Sequence, residues 1–252
     1  MILLVDVGNT NLKWAIVRNH VIAEQESIMH RHRELKLLFW QIWSEIKEIQ
    51  TVWISNVAGD LMRVSLTQWI EQYWQITPFF AHSTAQAYDV TSAYQHPEQL
   101  GIDRWLALIG AHRLIKGNVC IADCGTAITV DLLSATGTHL GGMIAPGIAA
   151  MQNTLFTETS ALTQLANTTE NYTTLEFEAK NTTQGIWSGI HYMVIGFLIH
   201  LLSEIEKKYQ QTFILVITGG DAPTLQPFLP KTHQHIPDLV LQGLKAMADK
   251  HP

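Results

Sequence analysis

The most informative part of the sequence is Val119-Cys-Ile-Ala-Asp-Cys-Gly-Thr-Ala-Ile-Thr-Val-Asp-Leu-Leu133, in which two apolar runs flank the turn Asp123-Cys-Gly-Thr-Ala127. The start of the chain has the same pattern. The apolar run from Ile2 to Val7 enters Asp6-Val-Gly-Asn-Thr10, and a second run extends from Leu12 to Val17. Apolar runs of this length around a turn that contains glycine predict paired β-strands. We interpret the two copies as an internal duplication.

The segments around the two copies predict helices and further strands. Apolar residues from Leu35 to Ile49 recur at spacings of three and four, which is typical of an amphipathic helix. The other predicted elements are strands at 21–27, 51–55, 76–81 and 212–218, helices at 61–74, 101–115, 148–156 and 239–248, and a hairpin at 132–144. Strands that alternate with helices indicate an α/β fold.

Two polar stretches interrupt this pattern. The turn-rich stretch from His82 to Leu100 predicts a domain boundary or a substrate loop, and it divides the chain into predicted domains at 1–100 and 101–252. Residues 157–180 are also polar and predict a loop.

The composition excludes several classes of protein. Of the 252 residues, 47% are apolar and 15% are charged, which excludes a disordered or coiled-coil chain. The net charge of −6, without a basic block, predicts no nucleic-acid partner. Cys120 and Cys124 lie in one predicted strand, where four residues span roughly 13 Å, too far for a disulfide. They predict buried thiols and a reducing, cytoplasmic compartment, and the first residues lack the basic start of a secretory signal.

Residues 181–203 contain no Asp, Glu, Lys or Arg, and by length they could span a bilayer. Four polar side chains would be costly there, namely Asn181, Gln184, His191 and His200. We therefore expect no membrane span, but a helix buried in a core or in a subunit interface.

The two Asp-x-Gly turns are the clearest candidates for a nucleotide-phosphate site. Glycine permits a positive φ and lets backbone N–H groups approach a phosphate, whereas Asp6 and Asp123 can coordinate hydrated Mg²⁺ or another cation. Neighbouring donors and one positive charge are supplied by Asn9, Thr10, Asn11, Thr126 and Lys13. A further glycine pair, Gly219-Gly220, follows a late predicted strand. Hairpin turns use the same residue types for geometry alone, but the recurrence of the turn favours phosphate binding.

The sequence does not match other nucleotide-binding or metal-binding motifs. The stretch Gly142-Met-Ile-Ala-Pro-Gly147 has the glycine spacing of a P-loop, but Ile148 stands where that motif requires lysine. The pairs His30-Arg-His32 and His233-Gln-His235 lack a nearby cysteine or a matching third ligand, so a zinc site is not predicted.

Four segments, in order along the chain, resemble those of the acetate and sugar kinase, Hsp70 and actin superfamily, and within it the type III pantothenate kinases. The segments are Asp6-Val-Gly-Asn-Thr-Asn-Leu-Lys13; Tyr94-Gln-His-Pro-Glu-Gln-Leu-Gly-Ile-Asp-Arg104; Asp123-Cys-Gly-Thr-Ala-Ile-Thr129 with Gly141-Gly-Met-Ile-Ala-Pro-Gly147; and Asn181-Thr182 with Thr218-Gly-Gly220. The resemblance implies two duplicated ribonuclease-H-like (actin-like ATPase) domains, with mixed sheets flanked by helices. The first carries one phosphate loop; the second carries another phosphate loop, an adenosine loop and dimer helices.

For ATP and its ions, the resemblance implies roles for three groups of residues. The first phosphate loop consists of Asp6, Val7, Gly8, Asn9, Thr10, Asn11, Leu12 and Lys13, with Asp6 near Mg²⁺, directly or through water. Thr126 contacts ATP, and Asp123 holds a monovalent cation, K⁺ or NH₄⁺. Gly219 and Gly220 lie against the adenosine.

For the acceptor, the resemblance implies ATP-dependent phosphorylation of pantothenate to 4′-phosphopantothenate, the first step of coenzyme A biosynthesis. Asp103 is then the general base, and the pantothenate pocket also includes Tyr94, Gly101, Ile102, Arg104 and Thr182. The enzyme is expected to be a homodimer, with pantothenate bound near the subunit interface.

Two other functions stay open at this point. A regulatory or assembly module could use the same nucleotide clamp without needing an acid at Asp103, and its ATP turnover would be indifferent to pantothenate. A phosphohydrolase on the same scaffold would use water in place of the alcohol.

Overall fold

A computed structural model describes residues 1–158 and 174–250. The chain forms two compact units. The first unit contains Met1–Lys116, Thr136–His139 and the chain from Asp238 onward, and the second contains Gly117–Ala135 and Leu140–Pro237.

The sheet of the first unit has five strands in the order β3-β2-β1-β4-β5. These strands are β1 (Ile2–Val7), β2 (Asn11–Arg18), β3 (Val21–Met29), β4 (Thr51–Asn56) and β5 (Phe79–Phe80). β2 is antiparallel to both β1 and β3, whereas β4 is parallel to both β1 and β5. The unit also contains the helices α1 (Leu35–Trp43), α2 (Asp60–Trp74) and α3 (Ile102–Leu114), the hairpin of β6 (Gln86–Ala87) and β7 (Val90–Thr91), and a 3₁₀ turn at Pro97–Gln99.

The sheet of the second unit repeats this topology. Its strands are β8 (Asn118–Cys124), β9 (Ala127–Leu133), β10 (His139–Pro146), β11 (Phe213–Thr218) and β12 (Gln234–His235), in the order β10-β9-β8-β11-β12. β8 is antiparallel to β9 and parallel to β11, as β1 is to β2 and β4. The helices that follow are α4 (Ile148–Glu158), α5 (Thr182–Tyr209), the short α6 (Ala222–Leu225) and α7 (Leu239–Lys250), the last of which belongs to the first unit. The predicted α/β fold with a duplicated mixed sheet is confirmed.

Burial on both faces of the central strands explains their sequences. Leu3, Leu4 and Val5 of β1 are fully buried, so this strand is apolar without alternation, as is usual for a strand covered on both sides. One side of the sheet packs on aromatic residues of α1 and α2, where Trp43 lies 5.7 Å from Trp69 between ring centroids. The helix predicted from Leu35 to Ile49 ends earlier, at Trp43.

The domain boundary predicted at residue 100 differs from the division in the structure, because α3 and α7 both pack in the first unit. Two glycines let these helices come into close contact. A Cβ on Gly110 would lie 2.5 Å from the Leu239 carbonyl oxygen, and a Cβ on Gly243 would overlap the Leu106 carbonyl. The assignment of α3 and α7 to the first unit therefore depends on contacts between residues far apart in sequence, and not on the polar stretch from His82 to Leu100.

Replacing Gly243 by Ala is expected to lower the free energy of unfolding by about 1–3 kcal/mol, since the added methyl group overpacks the contact with α3. Urea denaturation measures this loss. Gly196→Ala in α5 is the control, because no atom lies within 4 Å of its added Cβ. There, alanine should raise stability by up to about 1 kcal/mol. Equal stabilities of the two variants would contradict the close packing of α3 on α7.

Among the described residues, α5 is the one helix long and apolar enough to cross a bilayer, and 33% of its most apolar 18-residue window is buried. Core helices pass the same test of length and composition. Its buried side chains include Ile190, Val194 and Leu198, which join the core of the second unit. Its opposite face is exposed, with Met193 at 63%. The core location predicted for this helix is confirmed for one face only. The loop predicted at 157–180 falls partly outside the described residues, and its first two positions belong to α4.

Candidate functional site

The predicted first phosphate loop follows the central strand of the first sheet. Asp6 is the penultimate residue of β1, is 9% exposed, and lies opposite Lys13 of β2 in the antiparallel ladder. Side chains at directly opposed positions share one face of a sheet. The loop between Val7 and Leu12 is closed by the Gly8 N–H, which donates to the Asn11 carbonyl at 3.0 Å. The Asp6 carboxylate and the Lys13 ammonium group therefore lie on the same face of the sheet, next to a tight, polar loop.

His30 fixes this loop, a contact that the sequence analysis did not predict. The His30 backbone N–H donates to the Thr10 carbonyl at 3.0 Å, and its Nε2–H donates to the Gly8 carbonyl at 2.8 Å. The side chain is buried. Within the pair His30-Arg-His32, His30 therefore has a structural role, because its ring donates a hydrogen bond to the loop.

Asp123 occupies the position in the second sheet that Asp6 occupies in the first. It is the penultimate residue of β8, lies opposite Thr129 of β9, and pairs with Thr218 of the parallel strand β11. The Gly125 N–H closes the turn by donating to the Ala127 carbonyl at 3.0 Å. The duplication therefore extends from the strand order to the register of the two acidic residues.

Two further glycines bring other segments against the turn Asp123-Cys-Gly-Thr-Ala127, which is the predicted second phosphate loop. The Gly147 N–H donates to the Thr126 carbonyl at 3.2 Å, and a Cβ on Gly147 would lie 2.5 Å from that oxygen. A Cβ on Gly219 would lie 2.5 Å from the Asp123 Oδ1 atom and would overlap the Cys124 carbonyl. The end of β11 consequently packs against Asp123 and Cys124, and the end of β10 packs against Thr126.

The positive φ that glycine permits is not used at either Asp-x-Gly turn. Neither Gly8 nor Gly125 has a positive φ, whereas Gly219 does, with φ of 93°. The structure also leaves room at both turn positions: a Cβ would lie no closer than 3.4 Å to another atom at Gly8 and 3.8 Å at Gly125. These two glycines therefore leave the backbone open to approach, without an unusual backbone conformation.

Burial changes the acidity of three groups around the second loop. Burial raises the pKa of the Asp221 carboxyl. The backbone N–H of Asp221 donates to the Cys124 carbonyl at 2.9 Å. Burial, with a smaller contribution from nearby carboxylates, raises the pKa of both Cys120 and Cys124 to about 12. Since thiolates are the reactive form, these cysteines are inert thiols at neutral pH, as the sequence predicts.

The predicted pantothenate residues of the first unit surround the start of α3. Asp103 lies in the first turn of this helix, and its Oδ1 accepts the Arg104 N–H at 2.8 Å. Arg104 is only 6% exposed, and its Nη1 donates to the Tyr94 hydroxyl at 2.9 Å. The first turn of α3 therefore carries a half-buried carboxylate that accepts a backbone N–H, followed by a buried, permanently charged guanidinium that donates to a phenol hydroxyl.

The remaining predicted residues have different surroundings. The side chains of Val7, Leu12 and Ile102 are buried among apolar residues, so they can offer a ligand only backbone atoms. Thr182 is exposed at the first position of α5 in the second unit, where the Asn181 side chain caps the helix by accepting the Gln184 N–H at 2.8 Å.

The acidic residues fit Mg²⁺ bound together with a nucleotide better than a metal held by protein alone. The described residues contain no group of three or more His, Cys, Asp or Glu side chains that could hold a metal ion. Mg²⁺ commonly takes one or two carboxylates, keeps several waters, and completes its shell with substrate phosphates. The single carboxylate of Asp6, beside the predicted first phosphate loop, meets that requirement.

Two sheets of one topology, each with an aspartate before the turn of its central hairpin, define an actin-like ATPase fold of the kind found in sugar kinases. Solved structures agree on the fold. A candidate Baf family transcriptional activator from Campylobacter jejuni has a TM-score of 0.58 and 21% identity over 98% of both chains. A candidate 2-dehydro-3-deoxygalactonokinase from Sinorhizobium meliloti has a TM-score of 0.57 and 14% identity over 100% of both chains.

Sequence comparison narrows this class to one family. The family model of type III pantothenate kinases matches residues 2–204. A type III pantothenate kinase of Nitrosococcus oceani is 37% identical over 98% of this chain and 94% of its own length. Another, from Janthinobacterium sp., is 35% identical over 100% of this chain and 98% of its own length. The chain belongs to the type III pantothenate kinase family.

Proposed function

We propose that this protein transfers the γ-phosphoryl group of ATP to the primary hydroxyl of pantothenate and forms 4′-phosphopantothenate, the first step of coenzyme A biosynthesis. Family membership over most of the chain gives the reaction. The observation that carries the proposal at the level of residues is Asp103 in the first turn of α3, beside the buried Arg104. This pair supplies a proton acceptor and a fixed positive charge at one place.

The first phosphate loop holds the ATP phosphates in this proposal. Its backbone N–H groups and the Lys13 ammonium neutralise phosphate charge, and Asp6 holds Mg²⁺ directly or through water. When bound, Mg²⁺ supplies further neutralisation of the charge on the transferred group. Such positioning and charge stabilisation account for most of the catalysis in phosphoryl transfer.

Asp103 acts on the acceptor. Its carboxylate orients the pantothenate hydroxyl and takes the hydroxyl proton while the oxygen bonds to the γ-phosphorus. The bond from that phosphorus to the β–γ bridging oxygen breaks, and ADP leaves with the bond's electron pair. Tyr94, Gly101, Ile102, Arg104 and Thr182 are proposed to line the pantothenate pocket.

The second unit contributes the adenosine contacts and a monovalent cation. Gly219 and Gly220 lie against the adenosine in this proposal, and Thr126 contacts ATP. Asp123 holds K⁺ or NH₄⁺. The close approach of Gly219 to the Asp123 carboxylate supports a shared role, since it couples the adenosine contact to the cation ligand.

An ADP-release assay with purified protein, with and without pantothenate, tests this function. We expect turnover only when pantothenate is present. Phosphate release that does not require an acceptor alcohol would instead indicate a phosphohydrolase. ATP turnover that is indifferent to pantothenate and to replacement of Asp103 would indicate a regulatory or assembly module.

Replacing Asp123 by Ala is expected to lower turnover in K⁺ by at least about tenfold, to the rate measured in Na⁺, because the cation loses its carboxylate. Titrating KCl against NaCl at constant ionic strength measures the effect. Glu178→Ala is the control, since Glu178 is an exposed carboxylate of the same unit. K⁺ activation that persists in Asp123→Ala would contradict the assigned role.

We also propose that the protein is a cytoplasmic homodimer. The exposed apolar face of α5, with Met193 and Ile199, supports a subunit contact on the second unit. The two buried, unpaired thiols support a reducing compartment. Sedimentation velocity should give twice the mass of one chain.

A further inference from the structure

His139 is a buried polar residue that none of the roles above uses. It is 2% exposed and ends the short connection from Thr136 to His139, which belongs to the first unit. Its ring stacks on that of Tyr94, with centroids 6.1 Å apart and planes inclined by 15°. The Nδ1 atom accepts the Ala93 N–H at a long 3.4 Å. His139 thus contacts the segment that supplies Tyr94, by a ring contact and a weak hydrogen bond.

The connection that carries His139 is itself firmly placed. The Thr91 N–H donates to the Gly137 carbonyl at 2.9 Å, and Thr91 forms a parallel bridge with Thr138. Gly137 has φ of 83°, and a Cβ there would overlap the Asp89 carbonyl. Because backbone contacts fix the connection against β7, the His139 ring has a defined position from which it can support Tyr94.

Tyr94 passes this support on to Arg104. The Arg104 guanidinium donates to the Tyr94 hydroxyl at 2.9 Å, and its carbon lies 5.7 Å from the centroid of the Tyr94 ring. Because the hydroxyl accepts from Arg104, its own proton remains available to a ligand. Tyr94 is half-buried, so its ring needs support on one face if the hydroxyl is to keep a fixed direction.

We infer that His139 is a positioning residue for pantothenate recognition: its ring holds Tyr94, and Tyr94 orients Arg104. This inference rests on the proposed function, since Tyr94 and Arg104 are assigned there to the pantothenate pocket. His139 touches neither substrate in this account. It acts through the geometry of two residues that do, and small displacements of such residues are costly for binding and turnover.

Steady-state kinetics of two partial replacements test the inference. His139→Phe keeps an aromatic ring against Tyr94 and should leave the KM for pantothenate within about threefold of wild type. His139→Asn keeps an acceptor near the Nδ1 position but loses the ring. This replacement should raise the KM for pantothenate by about tenfold or more. The KM for ATP should change by less than about twofold in both. A wild-type pantothenate KM in His139→Asn would overturn the inference.

A double-mutant cycle separates positioning from general loss of stability. In the Tyr94→Ala background, His139→Asn should have no further effect on the pantothenate KM, because the side chain it supports is gone. Ile70→Val in the core of α2 is the control for a small stability loss and should leave that KM unchanged. Additive effects of the two replacements would exclude the proposed chain of contacts. If the wild-type protein turns over ATP equally well without pantothenate, the proposed function is refuted. If turnover requires pantothenate but replacing His139 leaves the pantothenate KM unchanged, only this inference is refuted.

Discussion

Replacing Asp103 by Asn is expected to lower kcat by about 10²–10⁴, the usual contribution of a general base, while ATP still binds. The structure makes this replacement conservative. The contact in which Asp103 Oδ1 accepts the Arg104 N–H can be kept by the amide oxygen of Asn, so the start of α3 should keep its shape. What is lost is the capacity to take a proton. Single-turnover phosphoryl transfer and nucleotide binding, measured separately, distinguish the chemical step from binding.

Glu98→Gln is the matched control for this experiment. Glu98 is a carboxylate of the same polar segment, and its side chain is 70% exposed. The charge change is the same, but we expect kcat to stay within about twofold, since surface substitutions rarely have larger effects. A near-native rate in Asp103→Asn would show that another group accepts the proton.

Replacing Gly219 by Ala is expected to raise the KM for ATP by about 10- to 100-fold and to lower the free energy of unfolding by about 1–3 kcal/mol. Two causes act together. Alanine is strained at φ of 93°, and its Cβ would overlap the Cys124 carbonyl and lie 2.5 Å from the Asp123 carboxylate. Relief of this overlap must displace the second phosphate loop, and displacement of binding groups by about 1 Å can cost a hundredfold in rate.

Gly220→Ala provides the comparison for stability. No atom lies within 4 Å of a Cβ at Gly220, and its φ is not positive, so alanine should leave the free energy of unfolding within about 0.5 kcal/mol of wild type. Thermal and urea unfolding of the two variants measure the difference. Equal stability of Gly219→Ala and Gly220→Ala would mean that Gly219 does not pack closely against Asp123 and Cys124.

The parts of the site that the sequence predicts are those that depend on local pattern. The ends of the apolar runs predict that Asp6 and Asp123 lie at strand ends, and both precede the turn of a central hairpin in the structure. The close approach of Gly147 to Thr126 could not be predicted in this way, because their contact depends on how β10 returns to the second phosphate loop. The sequence shows only that Gly147 follows Pro146 in a glycine-rich stretch, which does not predict the contact with Thr126.

Local sequence pattern accounts for the duplicated α/β fold and for the aspartate before the turn of each central hairpin, since strand length, turn type and helical periodicity are properties of neighbouring residues. Only the three-dimensional arrangement shows that α3 and α7 pack in the first unit, that His30 donates to the loop after β1, and that the His139 ring stacks on Tyr94. Each of these joins residues far apart along the chain. Such contacts depend on close packing and on hydrogen-bond geometry, which no local pattern of residue types encodes.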